Sequence, residues 1–215
     1  GSHVEDLRRA IAHWYTARFG VDLDPDSAEA HVSRGIALSL NKRYDESEKE
    51  FETAIMLNPA LFEAHYFYAR DCYAQGKYEK SARLFATAAE VNPDDYQAPI
   101  FLGMVYSALK REQEAWDANR KAAAAAEQHL ELHPDDARAL YLGAAALQKI
   151  GNEIRSLEWA DRALDADRNE PAVLYNVACI YSLANNRSKA LDLLEQAVKM
   201  GFGYRAWLEN DNTLE

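Results

Sequence analysis

The sequence is short of cysteine, of glycine and of positive charge, and each shortage excludes a class of protein. Its only two cysteines, Cys72 and Cys179, are far apart and sit at apolar positions of helix-like stretches. They read as buried thiols rather than as a disulfide or redox pair. There is no CxxC, no GxSxG elbow and no glycine-rich phosphate loop among the nine glycines, so the common nucleophile, redox and nucleotide signatures are missing. No apolar run reaches the roughly 18 residues needed to span a bilayer, and no signal peptide is recognisable. Lys and Arg total 24 against 35 Asp and Glu, a formal charge of −11. That balance argues against nucleic-acid phosphates or an anionic membrane as the main partner. The acidic residues are spread along the chain rather than clustered, which suits a solvated outer surface better than a carboxylate pair for acid–base work.

What the sequence does contain is helical periodicity. Residues 62–93 read FEAHYFYARDCYAQGKYEKSARLFATAAEVNP. At helical spacing this predicts two amphipathic helices, the first with His65, Tyr68, Ala69 and Cys72 on one side and the second carrying Ser81, Phe85 and Ala88. Small residues let the two backbones approach, Gly76 allows the turn, and Pro93 ends the second helix. The same hairpin recurs. Asn58-Pro59 and Asn92-Pro93 stand 34 residues apart. Gly35, Leu38, Ser47, Phe51 and Ala54 fill the matching places before it, and Leu102, Gly103, Tyr106 and Ala115 fill those after it. Further units carry Leu140, Gly143, Ala144, Leu147, Gly151, Ser156, Ala160 and Ala163, and then Leu174, Val177, Ala178, Tyr181, Ala190, Leu194 and Ala197.

Over residues 28–202 the chain resembles the tetratricopeptide repeat (TPR) family. The resemblance implies an all-α fold, an α-solenoid of about five helical hairpins wound as a right-handed superhelix. The expected organisation is a tag remnant at residues 1–3, a helix in 4–24 that is a half-repeat or cap, and repeats at about 28–59, 62–93, 96–134, 137–168 and 171–202. Residues 203–215 would form a capping helix and tail, with Trp207 and Leu208 over the open end of the stack. The third unit departs from the period, because Pro93 and Pro134 are 41 residues apart rather than 34. The surplus lies in a stretch without Gly or Pro, so its second helix should run from about Arg111 to His133. The seven extra residues should add about 10 Å, and either project beyond the neighbouring helices or displace the fourth unit.

Asp94-Asp95 and Asp135-Asp136 follow prolines and are placed to cap the next helices. His129 and His133, spaced i and i+4, could hold a metal, which makes a metal-dependent enzyme the weakest of the readings. A solvated helix end is the simpler reading, and no cofactor is expected. His31 and His65 occupy a position that the family fills with large packing residues.

In the family the first helices line a groove that receives a peptide or helix. Carried over by position, that face holds Val32, Ile36, Tyr66, Arg70, Tyr73, Ile100, Met104, Tyr141, Tyr175 and Asn176, with Cys179 beside them. Where relatives that grip a C-terminal carboxylate use Lys, Asn and Arg, this chain has Val32, Ile36, Tyr66, Ile100 and Phe101, with only Arg70, Arg138 and Asn176 polar. The expected role is a non-catalytic interaction module with a protein or peptide partner. The alternative is self-association through residues 122–133 and the end faces.

Residues 139–215 also resemble the C-terminal repeats of bacterial multidomain signalling proteins. The shared features are Tyr175-Asn176-Val177-Ala178-Cys179, Gly201-Phe202 and Trp207-Leu208-Glu209-Asn210-Asp211. In that group the repeats accompany class III adenylate cyclase, kinase, DNA-binding or TolB-like segments, none of which is present. The resemblance implies a cytoplasmic module, or a periplasmic one if the parent protein is anchored in the membrane.

Overall fold

A computed structural model describes residue 24 and residues 26–202. The tag-like residues 1–3, the expected helix at 4–19 and the expected C-terminal cap lie outside the described residues. Among the described residues the chain forms ten helices and no strand. They are α1 (Ala28–Leu40), α2 (Tyr44–Leu57), α3 (Phe62–Ala74), α4 (Tyr78–Val91), α5 (Gln97–Ala108), α6 (Glu112–Leu132), α7 (Ala137–Lys149), α8 (Glu153–Ala166), α9 (Pro171–Leu183) and α10 (Arg187–Lys199). Consecutive helices pair as five hairpins. The chain divides between Asn92 and Pro93 into two compact units, one holding α1–α4 and the other α5–α10.

The turn inside each hairpin is fixed by one left-handed residue. Lys42, Gly76, Lys110, Gly151 and Asn185 have φ of 58°, 73°, 59°, 83° and 58°. Around each, a six-to-one bond closes the helix end, as from Arg43 N–H to the Leu38 carbonyl and from Lys77 N–H to the Cys72 carbonyl, both 2.9 Å. The exits between hairpins are different. Asn58, Asn92, His133 and Asp167 end their helices at φ between −129° and −153°, so the chain leaves extended. Side-chain caps start the next helices. Asp95 Oδ1 accepts from the N–H groups of Gln97 and Ala98 at 2.9 and 2.8 Å, and Asp136 Oδ1 accepts from Arg138 and Ala139 at 2.9 and 3.1 Å.

Inside the hairpins a small residue meets a buried hydroxyl. Ser47, Ser81 and Ser156 donate to the carbonyls of Gly35, Ala69 and Ala144, each twelve residues back, at 2.9, 2.8 and 2.7 Å. Close approach is enforced by shape as well. A Cβ added to Gly35 would lie 2.8 Å from the Phe51 ring. In the third hairpin the aromatic is replaced by Asn119, which is buried against Gly103 and donates to the Ala115 carbonyl at 2.8 Å.

Helix α6 is 21 residues long where α2, α4 and α8 have 14. Its added turns do not stand clear of the protein, which corrects the projecting alternative. Ala122, Ala123, Ala126 and Leu130 are all buried. Gly143 on α7 has no side chain, and its Cβ position would lie 3.0 Å from Ala126 and 2.4 Å from Trp159 of α8. Ala122, Ala123 and Ala126 therefore face inward, Ala126 against Gly143 of α7, while Ala124 and Leu132 meet solvent. Within residues 122–133 the buried positions are closed to a partner, whereas Ala124, Glu127, Gln128, Glu131, Leu132 and His133 are exposed.

Candidate binding face

In the unit of α1–α4, the side chains expected to meet a ligand separate by exposure. Val32 and Tyr66 are buried. Val32 belongs to a core with Phe51, Ala54, Tyr68 and Cys72, against which Ile36 packs half-buried. Tyr66 is enclosed by aromatics, its ring stacked on Phe62 at 5.3 Å and set edge-on to Phe67 at 5.2 Å and Phe85 at 5.8 Å. Arg70 is exposed, with its guanidinium carbon 5.8 Å from both the Tyr66 and Phe67 ring centroids. One turn on, Tyr73 is half-buried beside Tyr78, with centroids 5.4 Å apart.

The unit of α5–α10 separates in the same way. Ile100, Tyr141 and Tyr175 are buried, Tyr175 stacking on Phe202 at 4.4 Å. Met104 is 45% exposed, and Asn176 is half-buried with its amide donating to the Ala172 carbonyl at 2.7 Å. Arg138 donates to Gln97 Oε1 at 3.0 Å. It edges an open cavity of about 500 Å³ lined by Asp135, Asp136, Tyr141, Asp167 and Glu170. The correction concerns Val32 and Tyr66 in the one unit and Ile100, Tyr141 and Tyr175 in the other: each is buried within its unit rather than at the surface. A tyrosine on a first helix looks the same in sequence whether a neighbouring helix covers it or not. Ile36, Arg70, Tyr73, Met104 and Asn176 are the members that reach solvent.

The seams between hairpins carry polar clusters that periodicity alone did not reveal. Where α2 meets α3, the Tyr68 hydroxyl donates to Glu52 Oε1 at 2.9 Å and lies 3.1 Å from Glu48 Oε2. Lys77 and Lys80 of the same hairpin both bind Glu48. Burial alone would raise the Glu48 carboxyl, but hydrogen bonds from Lys77, Lys80 and Tyr68 outweigh it and hold it at about 2. Burial and the flanking carboxylates push the Tyr68 phenol upward. Where α8 meets α9 the pattern returns: Tyr181 donates to Asp161 at 2.7 Å, and Lys189 reaches the same oxygen at 2.8 Å with its ammonium 4.1 Å from the Tyr181 ring centroid. Lys80 and Lys189 each precede the small residue that starts the close contact, Ser81 and Ala190, which is the signal a sequence reading could have used.

The four described histidines all make local contacts. His65 is buried and its Nε2–H donates to the Pro59 carbonyl at 2.8 Å, while His31 bonds Glu50 at 2.7 Å. His129 and His133 lie with ring centroids 4.7 Å apart, but His129 Nε2 is engaged by Asp136 at 2.8 Å. Among the described residues no group of three His, Cys, Asp or Glu side chains is arranged to hold a metal ion. Nor is any helix among them long and apolar enough to cross a membrane.

No curated protein matches the chain. Among solved structures, TTC0263, a thermophilic TPR protein of Thermus thermophilus, is 19% identical with a TM-score of 0.65, over 85% of this chain and 96% of that one. PilF of Pseudomonas aeruginosa is 16% identical with a TM-score of 0.58, over 87% and 86%. YrrB, described as a TPR protein with an unusual peptide-binding site, is 19% identical with a TM-score of 0.50, over 86% and 92%. At these identities the likeness speaks for the fold. The tetratricopeptide repeat profile matches residues 4–67 and 68–128, more than half of the sequence. With five helical hairpins of the same build, the chain belongs to the tetratricopeptide repeat family, whose fold is that of protein–protein interaction modules.

Proposed function

We propose that the protein is a non-catalytic module that captures a peptide segment, or a companion domain, on the open face of its first helices. The observation that carries this reading is Arg70. It is an exposed guanidinium set over two aromatic rings, with Tyr73 one turn further and Ile36 on the neighbouring helix. A guanidinium oriented by ring faces presents its donors in a fixed plane, which suits a carboxylate on the ligand. Tyrosine and arginine are also the side chains that most often dominate binding energy. In the α5–α10 unit, Met104 and Asn176 offer an apolar and an amide contact on the same kind of helix.

Selection of a displayed peptide library on the wild-type protein, with counter-selection on Arg70→Glu, tests the assignment. Peptides carrying a carboxylate should be enriched, and each should bind Arg70→Glu at least about tenfold more weakly, the cost of replacing a charge-assisted bond by repulsion. Because Tyr66 is buried, Tyr73→Ala rather than a Tyr66 variant is the proper companion. Peptides that bind the wild type and both variants alike would remove the face from consideration.

The likeness of residues 139–215 to bacterial signalling proteins supports placing this module in the cytoplasm beside a catalytic or DNA-binding domain. Sequencing the open reading frame that encodes it would test that placement.

A further inference from the structure

The outer face of α10 repeats the chemistry of a seam that is closed elsewhere in the same unit. On α8, Asp161 meets Tyr181 of α9 and is flanked at helical spacing by Leu157 and Leu164; on α10 the matching residues are Leu191, Glu195 and Val198, with the same apolar–acid–apolar spacing of four and three. On α8, Leu164 is buried, Leu157 is packed in the core, and Asp161 accepts Tyr181 and Lys189. On α10, Leu191 is 65% and Val198 50% exposed. Glu195 pairs with Lys199, one turn along its own helix at 2.7 Å, an exposed pair that contributes little. The α2 seam supplies a second precedent. There Glu52, at the position of Asp161 and Glu195, takes the Tyr68 hydroxyl and lies 3.6 Å from Lys80.

We propose that α10 docks a helical hairpin of a partner protein, built like α9–α10. Its first helix would lay an apolar stripe over Leu191 and Val198 and donate a tyrosine hydroxyl to Glu195. A lysine at the start of its second helix would complete the cluster, as Lys189 does for Asp161. Hydrogen-bond and charge complementarity select this occupant. Both internal acids at this position are met by one phenol and one ammonium, whereas an apolar surface alone would leave Glu195 with only its exposed pair to Lys199. The site is separate from the first-helix face that carries the proposed function.

The probe is a fluorescein-labelled synthetic peptide of residues 170–201 carrying Leu191→Glu, so that it offers an α9 face but no outer stripe of its own. Its binding to the full chain is read by anisotropy. We expect saturable binding, weakened at least tenfold by Leu191→Glu in the protein and about fivefold by Glu195→Gln, which keeps an acceptor oxygen but removes the charge that strengthens the bonds. Binding indifferent to Leu191→Glu overturns the proposal. A chain ending at residue 202 that binds when the full chain does not would make residues 203–215 the occupant, and dimers by light scattering that Leu191→Glu dissolves would make it a second copy; each overturns the proposal. A peptide that folds poorly alone is covered by a fusion that appends residues 171–202 after residue 202. No rise in Tm there, or a rise there without binding in trans, also counts against a separate partner.

Discussion

At the scale of single residues, the hairpin turns offer a clean measure of backbone strain. Lys42 and Lys110 occupy the left-handed region that Gly76 and Gly151 occupy in sister turns. A side chain there costs about 1 kcal/mol, of which glycine's freedom in the unfolded chain returns part. Lys42→Gly and Lys110→Gly should each stabilise the protein by about 0.5 kcal/mol. Nothing lies within 4 Å of a Cβ placed on Gly76 or Gly151. Gly76→Ala and Gly151→Ala should therefore cost about 1 kcal/mol from backbone strain alone, and urea midpoints on the four variants check both signs. Glu48 makes a pH-dependent contribution. Its carboxyl is held at about 2 against an ordinary 4.5, because hydrogen bonds from Lys77, Lys80 and Tyr68 overcome the opposing effect of burial. The stabilisation is thus complete above about pH 4.5 and is lost as pH falls through 2. The partner lysines are partly exposed, so about 1–2 kcal/mol is the expected size. Glu48→Gln should lower stability by that amount at pH 7, with the gap to wild type closing on acidification. A gap that stays constant with pH would refute the cluster's role. Asp71 works with the opposite sign: burial raises its carboxyl despite the 2.5 Å bond from Ser39, so its contribution improves as pH falls.

At the scale of the element, α6 shows how one helix of abnormal length is absorbed. Its extra turns are accepted because α7 carries Gly143 where they cross. Gly143→Ala would put a methyl group 2.4 Å from the Trp159 ring and 3.0 Å from Ala126. Since neither helix can yield without moving its neighbours, a loss of about 2–3 kcal/mol is expected, the usual cost of overpacking a core. Gly103→Ala first meets the end of the Asn119 side chain rather than a ring and should cost less; thermal melts of the two variants make the comparison. The same pair of helices marks what was legible beforehand. Asn-Pro pairs, turn glycines and small residues at fixed offsets are local constraints, so the hairpins and the length of α6 could be read from sequence. Whether α6 projects could not, because Gly143 and Trp159 lie well beyond it along the chain. Burial of Tyr66, Tyr141 and Tyr175 is likewise set by other helices, and five of the ten expected face residues are buried for that reason.

At the scale of the molecule, a repeat array draws its stability from nearest-neighbour seams rather than from one central core, so protection should follow the number of seams a helix shares. Within the unit of α5–α10, α7 meets α6, α8 and α9, and α8 lies against α7 and α9. The α10 helix packs on α9 and bares Leu191 and Val198 on its other side. Among the described residues, opening α10 therefore breaks one seam, whereas opening α7 or α8 breaks two or more and exposes Leu140, Leu147 and Trp159. A difference of one seam, at a few kcal/mol of apolar burial, should separate their amide exchange rates by at least about tenfold. Hydrogen exchange followed by mass spectrometry should find residues 187–199 exchanging fastest among the six helices of this unit and residues 137–166 slowest. Saturating the α10 face with the hairpin peptide should slow residues 187–199 and leave 137–166 unchanged. Uniform protection across the unit would mean that its seams open together as one cooperative block, and would remove the physical basis for treating the outer face of α10 as an unclosed seam.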